Sequence, residues 1–254
     1  MLYRTNVQSR VVEDLLISRG IPYAMIGGTK FYERREIKDV LAYLTVLFNP
    51  DDSYSVKRVL NVPRRGIGAK TIEAVERAAG ERGVAFYDGL RLAPDLPDVK
   101  GKAGKSIADF LAVMDRLRDL MNQKAGVDEL VLAIRSLSGY DTALQQEDPQ
   151  DTESRLANLD ELVSVARQFH EENPEGELAD FLAQMSLLSD LDANEPEQSR
   201  LVLMTMHAAK GLEFPIVAIV GMEEGLFPHN RALADDEQME EERRLMYVGV
   251  TRAE

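Results

Sequence analysis

The sequence predicts an α/β domain interrupted by a large all-α insertion. Leu201 to Met206 and Ile216 to Val220 are short apolar, β-branched-rich runs, typical of buried strands in an α/β sheet. Amphipathic helical patterns fill most of the chain from residue 33 to residue 189, without the fixed period of a solenoid. At roughly 150 residues per domain, a chain of 254 suggests about two domains. The expected division is 1–26 for the first part of the α/β domain, 27–197 for the helical insertion and 198–254 for the second part. Gly27-Gly28 and Glu195-Pro196 mark the crossings and are candidate hinges.

Taken in order, Met1 to Arg4 reads as the end of an apolar strand. Val7 to Ser18 carries Val11, Leu15 and Leu16 at helical spacing and stops at Gly20. Glu33 to Phe48 places Ile37, Val40, Leu41, Leu44 and Leu47 on one stripe, ended by Asn49-Pro50. Further helices are predicted at Ser53 to Leu60, Ala69 to Ala79, Ser106 to Met121, Val127 to Leu137, Glu153 to His170 and Glu177 to Ser189. Pro94 to Pro97 and Asn173-Pro174 supply turns. A last helix is expected over Met239 to Val250, and no cap or breaker follows it. Both ends read as cut from a longer polypeptide.

Composition excludes several classes. With no Cys, disulfide frameworks, thiolate zinc sites and Cys nucleophiles are out. Three separated His, at 170, 207 and 229, make a metal site an unpromising expectation. No apolar run approaches the ~20 residues of a membrane helix, and no secretory signal opens the chain. A soluble cytoplasmic protein without membrane partners is expected. The net charge of -14 argues against a polybasic DNA-coating protein. Yet residues 141–197 alone hold sixteen acids against two Arg, and the remainder is neutral. That acidic segment is a solvated helical face, a docking surface for a basic protein partner, or a repulsive face that keeps DNA elsewhere. Ser138-Gly139-Tyr140 and Asn158-Leu159 within or beside it look like packing or capping positions.

Three stretches carry chemistry. In LMTMHAAKGLEF (Leu203 to Phe214) a strand runs straight into polar residues, at the strand edge where open α/β sheets bind ligands. Ala208 and Ala209 keep this turn small, and Gly211 permits close backbone approach. Composition alone also allows a surface loop with incidental charges. In EEERRLMYVGVTRAE (Glu240 to Glu254), Glu240 stands at helical spacing from Arg243 and Arg244, and Arg252 projects beyond the buried stripe. Arg suits bidentate phosphate contact, although a solvated, salt-bridged helix is the plainer alternative. Residues 57–70 contain Lys57, Arg58, Arg64, Arg65 and Lys70 and no acid. Gly66-Ile67-Gly68 there separates two helical runs, and exposed amides at a helix N-terminus favour an anion. The pattern is that of a helix-hairpin-helix element gripping a DNA backbone, or else a tight αα turn with a solvated basic face. Gly104-Lys105-Ser106 imitates the end of a phosphate-binding loop, but the first glycine of that motif would fall on Val99. A helix cap at Ser106 explains it better.

The stretches TMHAAKGLEF, GMEEGLFPH (Gly221 to His229) and EEERRLMYVGVTRAE resemble motifs V, Va and VI of superfamily 1A DNA helicases, most closely the PcrA/UvrD/Rep group. LYRTNVQSR, IPYAMIGGTKFYERREIKDVLAYL, NVPRRGIGAKTIEAV and RLANLDELV resemble the same group in the same order, so the likeness spans nearly the whole chain. The resemblance implies a partial RecA-like domain carrying the inserted helical domain, from an ATP-dependent helicase moving 3′ to 5′ on single-stranded DNA. It implies that Arg252 reaches the ATP γ-phosphate and is the catalytic residue, with Gly211 and Glu213 also at the nucleotide. Arg4, Asn6, Thr205 and His207 fall where the group contacts single-stranded DNA. Arg64, Arg65, Gly66, Ile67, Gly68, Lys70 and Thr71 fall where it contacts duplex DNA. Lys210 is expected to brace its loop.

The chain contains no Walker A motif, no acidic Walker B motif and no tyrosine-arginine motif IV. ATP and Mg2+ are therefore expected as cofactors of a longer parent, with the chain itself binding neither and not hydrolysing ATP. The expected partners are DNA and the N-terminal RecA-like domain, in a nucleoid-associated setting. Two rivals remain: a non-catalytic DNA- or protein-binding module, and a helicase–nuclease subunit of the recombination type.

Overall fold

The computed structural model describes residues 1–99, 101–147, 149–193 and 200–254. Glu195-Pro196 lies outside the described residues. Contacts divide the chain into two compact units, Met1–Arg34 with Leu187–Glu254, and Arg35–Ser186.

In chain order the elements are β1 (Leu2–Tyr3), α1 (Ser9–Ser18), β2 (Tyr23–Ile26), α2 (Arg35–Phe48), α3 (Ser53–Leu60) and α4 (Ala69–Arg82). There follow α5 (Phe86–Arg91), α6 (Lys102–Asn122), α7 (Val127–Leu137), α8 (Tyr140–Gln145), α9 (Pro149–Glu172), α10 (Leu178–Ala193), β3 (Leu201–Thr205) and α11 (Asp236–Val250). The periodic pattern predicted α3 and α7 at these bounds, because each has a sharp apolar stripe. It did not reveal α5 or α8, each of six residues and too short to display a period.

The helical unit is organised on α2. Ile37, Val40, Tyr43, Leu44 and Val46 are fully buried, so this helix is covered on nearly all sides rather than along one stripe. Its buried polar groups are matched. Glu36 accepts from Asn158 Nδ2 at 2.6 Å, and Asp39 accepts from the Tyr140 hydroxyl at 2.7 Å and from Arg58 at 2.8 Å. The packing roles expected of Tyr140 and Asn158 are thus realised. Ser106 is a correction. α6 begins a turn earlier, behind Gly101, and the Ser106 hydroxyl instead donates to the Arg65 carbonyl at 2.8 Å.

In the other unit the sheet is parallel, in the order β1-β3-β2. Central β3 has Leu203 and Met204 fully buried, and both residues of β1 are buried beside it. β2 was not foreseen as a strand, and it pairs along its whole length with β3. Ile216 to Val220, expected as a buried strand, makes only a bridge from Ile219 to Leu2. Leu2 donates to the Ala218 carbonyl at 2.7 Å and accepts from Val220 at 3.0 Å. A two-residue β1 offers no more edge to pair with, and Ile216 stays 87 % exposed.

A buried carboxylate fastens α1 to the segment after β2. Glu13 is 1 % exposed and accepts from Ser9 Oγ at 2.5 Å and from the Tyr23 hydroxyl and Phe31 amide at 3.2 Å, with Arg34 at 3.8 Å. Burial, with Glu13 adding to it, pushes the neighbouring Tyr3 hydroxyl up to about 12. Gly27 and Gly28, expected at a crossing, belong to this unit and are exposed, but neighbouring side chains approach them closely. A Cβ on Gly27 would meet Ala208 Cβ at 3.0 Å, and one on Gly28 would meet Asn6 Oδ1 at 3.1 Å.

Candidate functional site

The carboxyl end of β3 opens into a tight turn. Thr205 Oγ1 accepts from the Ala208 amide at 3.2 Å, so this hydroxyl shapes the turn. His207 is exposed while Ala209 is buried as the turn's anchor. Gly211 takes φ 86°, a conformation that costs a side chain about 1–2 kcal/mol. Glu213 follows, exposed, and Phe214 then zips onto the chain's end. Its amide donates to the Arg252 carbonyl at 2.9 Å, and its carbonyl accepts from Glu254 at 3.1 Å.

This zipper brings Arg252 against a turn forty positions earlier in the sequence. Arg252 Nη1 donates to the Leu212 carbonyl at 3.0 Å, its Nε to the Val248 carbonyl at 3.1 Å and its Nη2 to Thr251 Oγ1 at 3.1 Å. All three acceptors are neutral, and no carboxylate pairs with Arg252 among the described residues. The guanidinium is therefore held in place with its charge uncompensated, beside Gly211 and Glu213. Lys210, expected to brace the loop, has no side-chain partner among the described residues, and Arg252 does the bracing. Arg244 pairs with Glu241 at 2.9 Å rather than with Glu240, while Arg243 pairs with Glu240 as expected.

Arg4 stands differently. Its Nε and Nη2 both reach Glu242 Oε1 at 2.8 Å, and the other oxygen of Glu242 accepts from the His229 amide at 3.2 Å. Glu242 is 5 % exposed, so Arg4 neutralises a buried carboxylate and its charge is committed. Arg4, expected where single-stranded DNA is contacted, is thus placed in an ion pair with Glu242. The sequence signal for Glu242 was weak, because it sits unmarked in a run of three glutamates. Asn6 begins a 3-10 turn in which Gln8 Oε1 accepts from the amides of Arg4 and Thr5. The Asn6 carbonyl accepts from Arg34 at 2.8 Å. Partial burial, and then the nearby Arg4 charge, lower the pKa of His207, favouring a neutral ring at neutral pH. His207 and Lys210 line a groove of about 580 Å³ with Glu241, Arg244 and Tyr247.

In the helical unit the turn between α3 and α4 is held from within. Asn61 Oδ1 accepts from the amides of Arg65 at 2.8 Å and Ile67 at 3.3 Å. Arg65 folds back, its Nη1 reaching the carbonyls of Val59 (3.0 Å), Leu60 (3.1 Å), Val62 (3.0 Å) and Pro63 (3.3 Å), and its Nη2 the Tyr43 hydroxyl (2.7 Å). Ile67 is 3 % exposed. Arg65 and Ile67, both expected at the duplex-DNA contact, are therefore internal fasteners of this turn. The basic count of this stretch shrinks too, since Lys57 pairs with Glu76 and Arg58 with Asp39. What faces outward is Arg64, Gly66, Gly68 and Lys70, with Thr71 half-buried. The amides of Gly66 and Gly68 find no protein acceptor among the described residues. Neither Arg64 nor Lys70 has an ion-pair partner there.

Within the acidic segment, Asp141 and Asp160 pair with Arg135, and Glu147 pairs with Arg35 and Arg155. Glu171, Glu172, Glu175 and Glu177 are exposed. Among the described residues no group of three or more His, Asp or Glu side chains is placed to hold a metal ion. No helix there is long and apolar enough to cross a membrane.

In the sheet unit, the end of a parallel strand thus carries a glycine turn, an exposed carboxylate and an uncompensated arginine, residue types that suit a phosphate ligand. The sequence matches the UvrD-like helicase C-terminal domain over residues 1–95 and 98–254, and the chain belongs to that family. It is 42 % identical over 260 residues to the ATP-dependent DNA helicase PcrA of Bacillus subtilis, covering 100 % of this chain and 35 % of that protein. The PcrA helicase of Staphylococcus epidermidis is 44 % identical with the same coverage, and that of Leuconostoc citreum is 41 % identical, with 34 % of it covered. The chain thus spans about a third of the length of these relatives.

Proposed function

We propose that this chain is the C-terminal portion of an ATP-dependent DNA helicase that translocates 3′ to 5′ on single-stranded DNA. The sheet unit is the second RecA-like domain of the motor and supplies one wall of its ATP cleft. The observation that carries this reading is Arg252, immobilised by three neutral acceptors yet unpaired in charge. Phosphate oxygens would replace the Leu212 carbonyl with a charge-assisted contact about twice as strong. Gly211 leaves room for close approach, and Glu213 offers acceptors to ribose hydroxyls. These residues fit a nucleotide, whose bound triphosphate and Mg2+ supply the phosphoryl chemistry. The phosphate cradle and metal ligands belong to an N-terminal RecA-like domain, and the chain by itself is inactive.

Single-stranded DNA passes Asn6, Thr205 and His207, with the neutral His207 ring suited to stacking on a base. Arg4 acts through Glu242, holding α11 against the strand-facing turn. The hairpin of the helical unit is a helix-hairpin-helix element that takes duplex phosphates on Arg64, Lys70, Thr71 and the amides of Gly66 and Gly68. The exposed glutamates of α9 and the turn after it offer a face to a basic protein partner.

The test joins this chain to an N-terminal RecA-like half carrying both Walker motifs. ATP turnover should rise with single-stranded DNA, and Arg252→Ala should lower it by about 10³-fold or more, as loss of an arginine finger does. Turnover indifferent to DNA and to Arg252→Ala would remove the motor assignment.

A further inference from the structure

The segment between β2 and α2 ends in Arg34, which is 5 % exposed and turned back into the sheet unit. Its Nε donates to the Thr29 carbonyl at 3.2 Å, and its Nη2 donates to the Asn6 carbonyl at 2.8 Å and to Ser9 Oγ at 2.9 Å. Nη2 carries two hydrogens, one for each of its acceptors. The Ser9 hydroxyl in turn donates to Glu13 at 2.5 Å, so a buried carboxylate stands behind the arginine. A buried charge pair is a costly way to satisfy one carbonyl, and Ser9 Oγ already lies 2.8 Å from that of Asn6. What the pair adds is a fixed backbone at Asn6. The hydrogen bonds of Asn6 run through its carbonyl, and its side-chain amide makes none among the described residues.

The same segment makes room for that amide. A Cβ on Gly28 would stand 3.1 Å from Asn6 Oδ1 and 3.1 Å from Met25 Sδ. Gly28 lies outside the left-handed region, so its backbone does not demand glycine and the space beside Asn6 does. Gly27, at φ 71°, abuts the other turn of the proposed strand site. A Cβ there would meet Ala208 Cβ at 3.0 Å, next to His207. Both turns proposed to face single-stranded DNA therefore lean on this one segment.

We propose that Gly28 and Arg34 are positioning residues for single-stranded DNA. Arg34 fixes the backbone of Asn6, and Gly28 leaves the space in which the Asn6 amide turns to the strand. The inference rests on reading Asn6 as a strand contact and adds two residues that never touch DNA themselves. The ligand is a single strand, met by a neutral amide hydrogen bond rather than by a charge.

The experiment measures binding of the 254-residue chain to a short fluorescent oligothymidylate by anisotropy. Asn6→Ala removes one hydrogen bond to the strand and should weaken binding about 5–10-fold. Gly28→Ala should weaken it to a similar extent, and because Gly28 is exposed the chain stays folded. Arg34→Lys keeps the charge beside Glu13 but cannot hold the Asn6 and Thr29 carbonyls together, and should weaken binding likewise. Residues that act only through Asn6 have nothing left to position once it is gone. In the Asn6→Ala background neither substitution should therefore cost further affinity, an outcome that a general loss of folding would not produce. Wild-type affinity in Gly28→Ala or in Arg34→Lys overturns the inference, as does a full further loss in the Asn6→Ala background. Gly28→Ala decides alone if Arg34→Lys does not fold. The reading of Asn6 survives such a failure as long as Asn6→Ala itself weakens binding. If Asn6→Ala binds as the wild type does, or the chain binds no single strand, both fall.

Discussion

Arg65 separates a structural from a DNA-binding use of charge. Its guanidinium reaches four carbonyls and one hydroxyl, but Nη1 carries only two hydrogens, so the four carbonyl contacts are shared. With the bond to Tyr43, about three effective hydrogen bonds remain. At roughly 1–1.5 kcal/mol each, Arg65→Ala should cost about 3–4 kcal/mol, and it leaves carbonyls at the end of α3 without donors. For a domain of this size that is roughly a 6–16 °C fall in midpoint. Arg65→Lys is the decisive variant. It keeps the charge that a phosphate needs but cannot span carbonyls and Tyr43 together. Urea unfolding followed by far-ultraviolet circular dichroism should show Arg65→Lys destabilised nearly as much as Arg65→Ala, whereas Arg64→Ala should leave stability within about 0.5 kcal/mol. Full stability in Arg65→Lys would refute the internal role.

Three further outcomes are expected. Arg4→Met or Glu242→Leu alone should destabilise the sheet unit by about 3–5 kcal/mol, and the double variant by much less, in a denaturation double-mutant cycle. His207, with its pKa lowered, should titrate below about 6.5 by NMR, and Arg4→Gln should move that midpoint upward. Because the folded state favours the neutral ring, the stability this histidine contributes is complete above about pH 6.5 and is lost as pH falls through its folded value. Tyr140→Phe should cost about 1.5–3 kcal/mol, because Asp39 loses a charge-assisted bond in a buried setting, as thermal unfolding will register.

The helices were legible because their apolar spacing is long and regular, and α2, α3 and α7 followed from it. β2 was not, since a four-residue stretch followed by two glycines carries no period, and becomes a strand only by pairing with β3. Gly211, Glu213 and Arg252, the residues proposed to face a nucleotide, were legible as residue types in motif strings. Their proximity came from the pairing of Phe214 with the chain's end. The hairpin shows the opposite outcome. Five cations without an acid looked uniform in the sequence, yet three of them are consumed, by Glu76, by Asp39 and by backbone carbonyls.

By itself, then, the sequence determined the family, the helical insertion and the residue types of the turn after β3, because these rest on local spacing and on motif order. Only the tertiary structure decided which charges remain available. Whether an arginine binds a ligand or fastens the fold depends on the acceptors that distant segments bring within about 3 Å, and chain order does not encode that distance. Arg252 meets only neutral acceptors and keeps its charge, while Arg4 meets Glu242 and spends it.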